Sequence, residues 1–144
     1  MNFNLDFQVA TTIGAHKTLK KLSGVDDSDE QKGKDKNPKA PFRTMSHAIL
    51  FAFIFGLFFG KRVPLESRSG NWHFSSIQKA ANQHRIYNLG SLLQHFGNPD
   101  DSLTQDDAKV AVMEYINWGL IELESQEFGQ SDYLFGDLLD SLIN

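Results

Sequence analysis

The sequence predicts a mainly α protein: a compact bundle of about five helices around one Phe-rich buried helix, with a short N-terminal β-strand that pairs in an oligomer or complex. Three observations carry that prediction. Residues 48–60 are an apolar run of thirteen without a charge, shorter than the roughly 20 residues of a membrane span and suited to a buried core helix. Ala108, Val112, Tyr115, Ile116, Gly119 and Leu123 form a stripe of helical period within a long segment, residues 104–126. Residues 2–9 alternate strictly, with Phe3, Leu5, Phe7 and Val9 on one face and Asn2, Asn4, Asp6 and Gln8 on the other, the period of a half-buried strand.

A lone strand is not stable, so this one requires a copy from another chain, another subunit, or a strand elsewhere in the same sequence. A short helix follows over residues 15–22, with Lys17, Lys20 and Lys21 making one side basic. The next stretch is charged, carries Gly and Pro and has almost no large apolar residue, so it reads as a flexible linker. The organisation is therefore a strand and short helix over 1–23, a linker over 24–41 and a helical core domain over 42–144.

Thr44 or Ser46 caps the apolar helix and Gly60 ends it. Ala48, Ala52, Gly56 and Gly60 recur every four residues, a small-residue face that lets another backbone approach closely. The other faces carry Phe51, Phe53, Phe55, Phe58 and Phe59. A helix apolar all round must be enclosed on every side. A few short helices do so only tightly, so a homodimer or larger complex is expected as well. Residues 61–71 read as turns, with Trp72 and Phe74 anchoring them to the core. Ser75 or Ser76 caps a helix through Asn82, and residues 86–96 make another with Leu89, Leu92, Leu93 and Phe96 inward. After the Gly97-Asn98-Pro99-Asp100 turn, Thr104 and Asp107 form a variant capping box. Ser131 caps a last helix bearing Leu134, Phe135, Leu138, Leu139 and Leu142.

The chain of 144 residues has no cysteine, which excludes disulfides, thiolate zinc sites and cysteine nucleophiles. Together with the lack of a positively charged signal region at its start, this fits a cytoplasmic protein with no membrane span. Residues 1–85 hold 13 Lys/Arg against 7 Asp/Glu, whereas residues 86–144 hold one, Lys109, against 11. The basic half suits nucleic acid or an acidic partner, or else the two halves face each other.

Catalysis has no candidate constellation. His73, His84 and His95 recur every eleven residues, but the helix register between them is broken and no H-x-x-x-H pair exists. The acidic pairs fall in linkers and first helical turns, where carboxylates are solvated or favour the helix dipole. Phosphate-binding loops, dinucleotide fingerprints and nucleophile elbows are absent from the sequence. The reading is a non-enzyme without cofactor or metal. Two sets of residues remain. Lys39, Arg43, Lys61, Arg62 and Arg68 bracket the apolar helix and are the candidates for DNA-backbone contact. Phe3, Leu5, Phe7 and Val9 of the strand, Ala48, Ala52 and Gly56 of the small-residue face, and Trp118 are the candidates for partner contact.

Residues 41–65, P-F-R-T-M-S-H-A-I-L-F-A-F-I-F-G-L-F-F-G-K-R-V-P-L, resemble the small accessory proteins of the Dnd system-associated (DNA phosphorothioation-associated) family. Members carry a similar Pro-Phe-x-Thr opening, a small and apolar helix and a basic-x-Pro-Leu exit. The resemblance continues at residues 72–74, at the M-E-Y-I-N-W-G-L stretch of residues 113–120, and at residues 132–142, covering about 41–144 in all. It implies an accessory or assembly subunit of a bacterial anti-phage or anti-plasmid defence complex, bridging or regulating a nuclease, an SMC-like ATPase or both. The charged insert of residues 25–39 and the N-terminal strand are not matched by the resemblance and suit a related small subunit of another defence system, such as one pairing a nuclease with an SMC-like ATPase. The alternative is a small dimeric DNA-binding module contacting the phosphate backbone. The strand's polar face has no Lys or Arg, which argues against it reading a groove.

Overall fold

The computed structural model describes residues 7–24, 42 and 44–125. The chain order is β1 (Gln8–Thr11), α1 (Ile13–Ser23), α2 (Met45–Phe59), β2 (Ser69–His73), α3 (Phe74–Gln83), α4 (Leu89–Gly97) and α5 (Gln105–Ser125). The protein is mainly helical with a small antiparallel sheet that includes the N-terminal strand. Residues 1–6, most of the expected linker and the expected last helix lie outside the described residues, as do Phe3, Leu5, Lys39 and Arg43.

β1 finds its partner in its own chain. It pairs antiparallel with β2, Gln8 opposite His73 and Val9 opposite Trp72, with an irregularity before Thr11 meets Ser69. Of the strand expected over residues 2–9, only Gln8 and Val9 belong to β1, which runs on to Thr11, while residues 2–6 lie outside the described residues. For β1 the partner is a strand of the same chain rather than of an oligomer, and part of the expected turn region becomes that strand. Phe7 and Val9 accordingly serve the chain's own core. Val9 is buried, and the Phe7 ring stands edge-on to Phe74 with centroids 5.4 Å apart.

Thr12 starts α1 by accepting from the Ala15 amide (3.1 Å), and Gly24, at φ 74°, closes it. Leu19 and Leu22 face inward while Lys17 and Lys21 are exposed. At the head of α2, the Thr44 hydroxyl accepts from the His47 amide (3.2 Å), and Gly60 ends the helix in the left-handed region, both as the sequence predicts. No helix among the described residues is long and apolar enough to cross a membrane.

Instead α2 is wrapped by its own chain: α5 covers it most extensively, α3 and α1 flank it, and α4 closes one end. α2 and α5 run antiparallel and meet backbone to backbone. A Cβ on Gly56 would overlap the Tyr115 carbonyl, and one on Gly119 would overlap the Ala52 carbonyl. The small-residue face of Ala48, Ala52 and Gly56 is thus occupied by α5, not by a partner helix. Every residue of the predicted α5 stripe is buried.

Three helix starts depart in detail from the sequence reading. α3 begins at Phe74 without a Ser75 or Ser76 cap, because the Phe74 amide donates to the Phe7 carbonyl (3.0 Å) and splices the helix onto the strand ladder. α4 begins at Leu89, capped by Asn88, whose side chain accepts from the Ser91 amide (3.0 Å). Before it, the Gln78 side chain donates to the Ile86 carbonyl and accepts from the Leu89 amide, holding the preceding residues out of helix. At α5 the Asp107 amide donates to the Thr104 hydroxyl (3.2 Å), but that hydroxyl donates in turn to the Asp107 carboxylate (2.8 Å). The shorter Asp side chain thereby replaces the reach-back of a capping box with a side-chain pair.

Candidate functional site

The last turn of α2, still alongside α5, carries aromatic rings that face solvent. Phe55, itself buried, lies nearly parallel to Trp118 with centroids 5.4 Å apart and 18° between planes. Phe59 leans on both, 4.9 Å from Phe55 and 5.9 Å from Trp118. On the adjoining side Phe58 stacks on Phe96 at 4.9 Å, and His95 stands edge-on to Phe96. Phe58, Phe59 and Phe96 remain 46%, 49% and 40% exposed. Exposed apolar residues scattered singly are ordinary, whereas adjoining rings make a surface that another molecule can cover. Phe96 was expected inward and is not. Trp118 is half-buried and is, among the described residues, the one member of the expected partner set that belongs to this ledge.

Residues 61–68 fold back along α5 as a strap. The Val63 amide donates to the Glu114 carbonyl (3.2 Å), and buried Asn117 donates its Nδ2 to the carbonyls of Val63 (3.1 Å) and Pro64 (3.3 Å). Arg62 and Arg68 are therefore brought alongside α5, while Lys61 stands at the end of α2 with its amide on the Gly56 carbonyl. They are not equivalent. Arg62 donates to the Glu114 carboxylate from Nε (3.0 Å), places a second guanidinium nitrogen 2.9 Å from it, and sits over the Tyr115 ring at 5.6 Å. Its charge is answered within the chain, which weakens it as a backbone-contacting residue. Lys61 and Arg68 are exposed. A double-mutant cycle on Arg62→Ala and Glu114→Ala, read by urea unfolding, should return a coupling of about 0.5–1 kcal/mol, since both groups keep some solvent contact. A coupling indistinguishable from zero would mean that the pair does not hold the strap.

No group of three or more His, Cys, Asp or Glu able to hold a metal exists among the described residues. His73, His84 and His95 are not gathered. His84 instead lies edge-on to His47 at 5.5 Å, and His47 is held between the Thr44 hydroxyl (2.8 Å) and the Gln83 side chain (3.2 Å). Of the acidic pairs, Asp100-Asp101 belongs to an exposed turn and Asp106-Asp107 to the first turn of α5. The Asp100 carboxyl titrates below its usual 3.8, chiefly because the Ser102 hydroxyl donates to it (2.9 Å), helped by the backbone amides of the turn. Such a carboxylate is held ionised and is unsuited to general acid work.

The ledge was missed because period alone marks Phe58 and Phe96 as core. The available signal was position: Phe58-Phe59 is followed at once by Gly60-Lys61-Arg62, where the helix ends in charged residues. No family model, curated protein or solved structure matches this chain.

Proposed function

We propose that this chain is a non-catalytic assembly subunit of a bacterial DNA-defence complex, bridging or regulating a nuclease or an SMC-like ATPase through the aromatic ledge at the end of α2. The ledge carries the reading: Phe58, Phe59 and Phe96 are each two-fifths to one-half exposed, yet each ring already packs against a neighbouring ring. Aromatic residues are the usual anchors of protein interfaces, and rings fixed beforehand lose little side-chain freedom when a partner docks. The defence setting is supported by the sequence resemblance across residues 41–144. Among the described residues, the internal pairing of β1 and the occupied small-residue face weaken those two candidates and favour the ledge.

The test is to purify the tagged chain from its native host and weigh the intact complex. The expected result is a fixed-ratio assembly with a nuclease or an ATPase. A Phe58→Gln, Phe59→Gln double variant should release that partner, weakening association by about 30-fold or more, while its thermal unfolding stays cooperative. A lone chain, or a complex indifferent to both substitutions, would overturn the proposal.

A further inference from the structure

Between the β1–β2 ribbon and α5 lies a cleft of about 330 Å³. Its floor is Ala10 and Met113, where the Ala10 amide donates to the methionine sulfur at 3.5 Å. Two cations stand on its rim, Arg68 from the strap and Lys109 from α5, with the Gln8 side chain beside them. Lys109 is the single basic residue in the acidic half of the chain, residues 86–144, and the fold places it on the same cleft as Arg68. Neither cation has a carboxylate partner among the described residues, in contrast to Arg62 with Glu114.

Two unanswered positive charges on one small concave surface raise its potential for an anion. The wall is also rigid. Gly70, at φ 72°, has the Trp72 ring packed so closely that a Cβ would collide with it, and Trp72 rests against His16 at 5.5 Å. Arg supplies a planar fork that fits phosphate oxygens in pairs, and Lys supplies a point charge. The volume is at the lower end for small-molecule sites, enough for a phosphate with little beyond its sugar.

We propose that this cleft binds a phosphate group, with Arg68 and Lys109 taking its oxygens. The phosphate belongs either to a free phosphomonoester or to a nucleic-acid backbone, which present the same oxygens to the two cations. The site uses other residues than the ledge and stands whether or not the assembly reading holds.

The experiment follows amide shifts of Ser69, Gly70 and Lys109 in the isotope-labelled full chain during titration with inorganic phosphate, AMP and single-stranded oligothymidylate. Saturable shifts at these residues are expected, with affinity reduced about tenfold in Arg68→Gln and in Lys109→Gln. Both side chains are exposed, so the variants should melt with the parent, and Lys79→Gln on α3 should bind as the parent does. AMP binding more tightly than the oligonucleotide identifies a phosphomonoester site. Tighter oligonucleotide binding, with a salt slope falling by about 0.7 for each cation removed, identifies the backbone of a nucleic acid. No saturable shift up to about 20 mM ligand, far weaker than a millimolar site, would overturn the proposal. So would equal weakening by Lys79→Gln, or binding unchanged in both cleft variants.

Discussion

Gly119→Ala should destabilise the protein by about 3 kcal/mol or more, the upper end of overpacking effects, and lower its melting temperature by roughly 10–20 °C. The direction is what makes the result diagnostic. Inside a helix, alanine ordinarily gains about 0.5–1 kcal/mol over glycine through backbone entropy. At position 119 the added methyl group has no space, because the Ala52 carbonyl already fills it. That carbonyl is backbone and cannot swing aside like a side chain, so α5 as a whole must retreat from α2 and the contacts of both helices loosen together. Gly56→Ala should behave alike, since its Cβ would meet the Tyr115 carbonyl at the other end of the same crossing. Gly14→Ala on α1 meets nothing within 4 Å and should be neutral or slightly stabilising. Thermal unfolding of the three variants by circular dichroism checks the set. A Gly119→Ala protein as stable as the parent would mean that the helices do not touch where the structure has them touching.

The second large effect is expected at Asn117, which is 3% exposed. Its Nδ2 makes two hydrogen bonds to the strap, and its Oδ1 meets no donor among the described residues, so the side chain holds the strap through the amide nitrogen alone. Asn117→Asp turns that donor into an oxygen facing two carbonyls in a buried site. At neutral pH the loss should be about 3 kcal/mol or more, the cost of an uncompensated buried charge added to two lost bonds. The pH dependence has a definite sign. Burial and the facing carbonyls favour the protonated acid, so the folded-state pKa of the introduced group rises above its unfolded value. The folded variant then binds the extra proton more tightly, and part of the lost stability returns as pH falls through that raised pKa. Asn117→Leu keeps the volume, leaves the two carbonyls unanswered, and should lose about 1–3 kcal/mol with no matching pH dependence. Urea unfolding of both variants at mildly acidic and at neutral pH separates the two cases. An Asp variant with the parent's pH profile would show that the carbonyls are not where the contact requires.

What the residues disclosed, and what they withheld, follows from the reach of each signal. Helical period identified the buried stripe of α5 and the small-residue face of α2, because both depend on spacing within one segment. It did not reveal that each covers the other, since spacing marks a face and not what packs on it. Gly56 therefore read equally well as a seat for a partner. β2 was hidden for a different reason. Ser69, Gly70 and Asn71 have neither β-branched nor aromatic character, and the strand exists because β1 pairs with it and Trp72 anchors it. Among the cations, sequence grouped Arg62 with Arg68, whereas the fold answers one with Glu114 and leaves the other beside Lys109. Pairing across 50 residues of chain cannot be seen from composition. The family resemblance rests on the sequence alone.

The antiparallel crossing of α2 and α5 also governs when the protein can fold. The helix that most needs cover, Met45–Phe59, is emitted early, while the helix that covers it ends only at Ser125, about 65 residues later. At common rates of synthesis that interval lasts roughly 3 to 13 s, during which an apolar, phenylalanine-rich segment has emerged and its shield has not. The sheet adds a similar delay, since β1 waits for β2 across a comparable stretch of chain. A helical protein of this size whose largest helix contact and strand pairing are both distant in sequence should fold more slowly than bundles of local hairpins. During those seconds α2 offers its apolar surface to any other apolar surface it meets, the usual route to aggregation of a partly made chain.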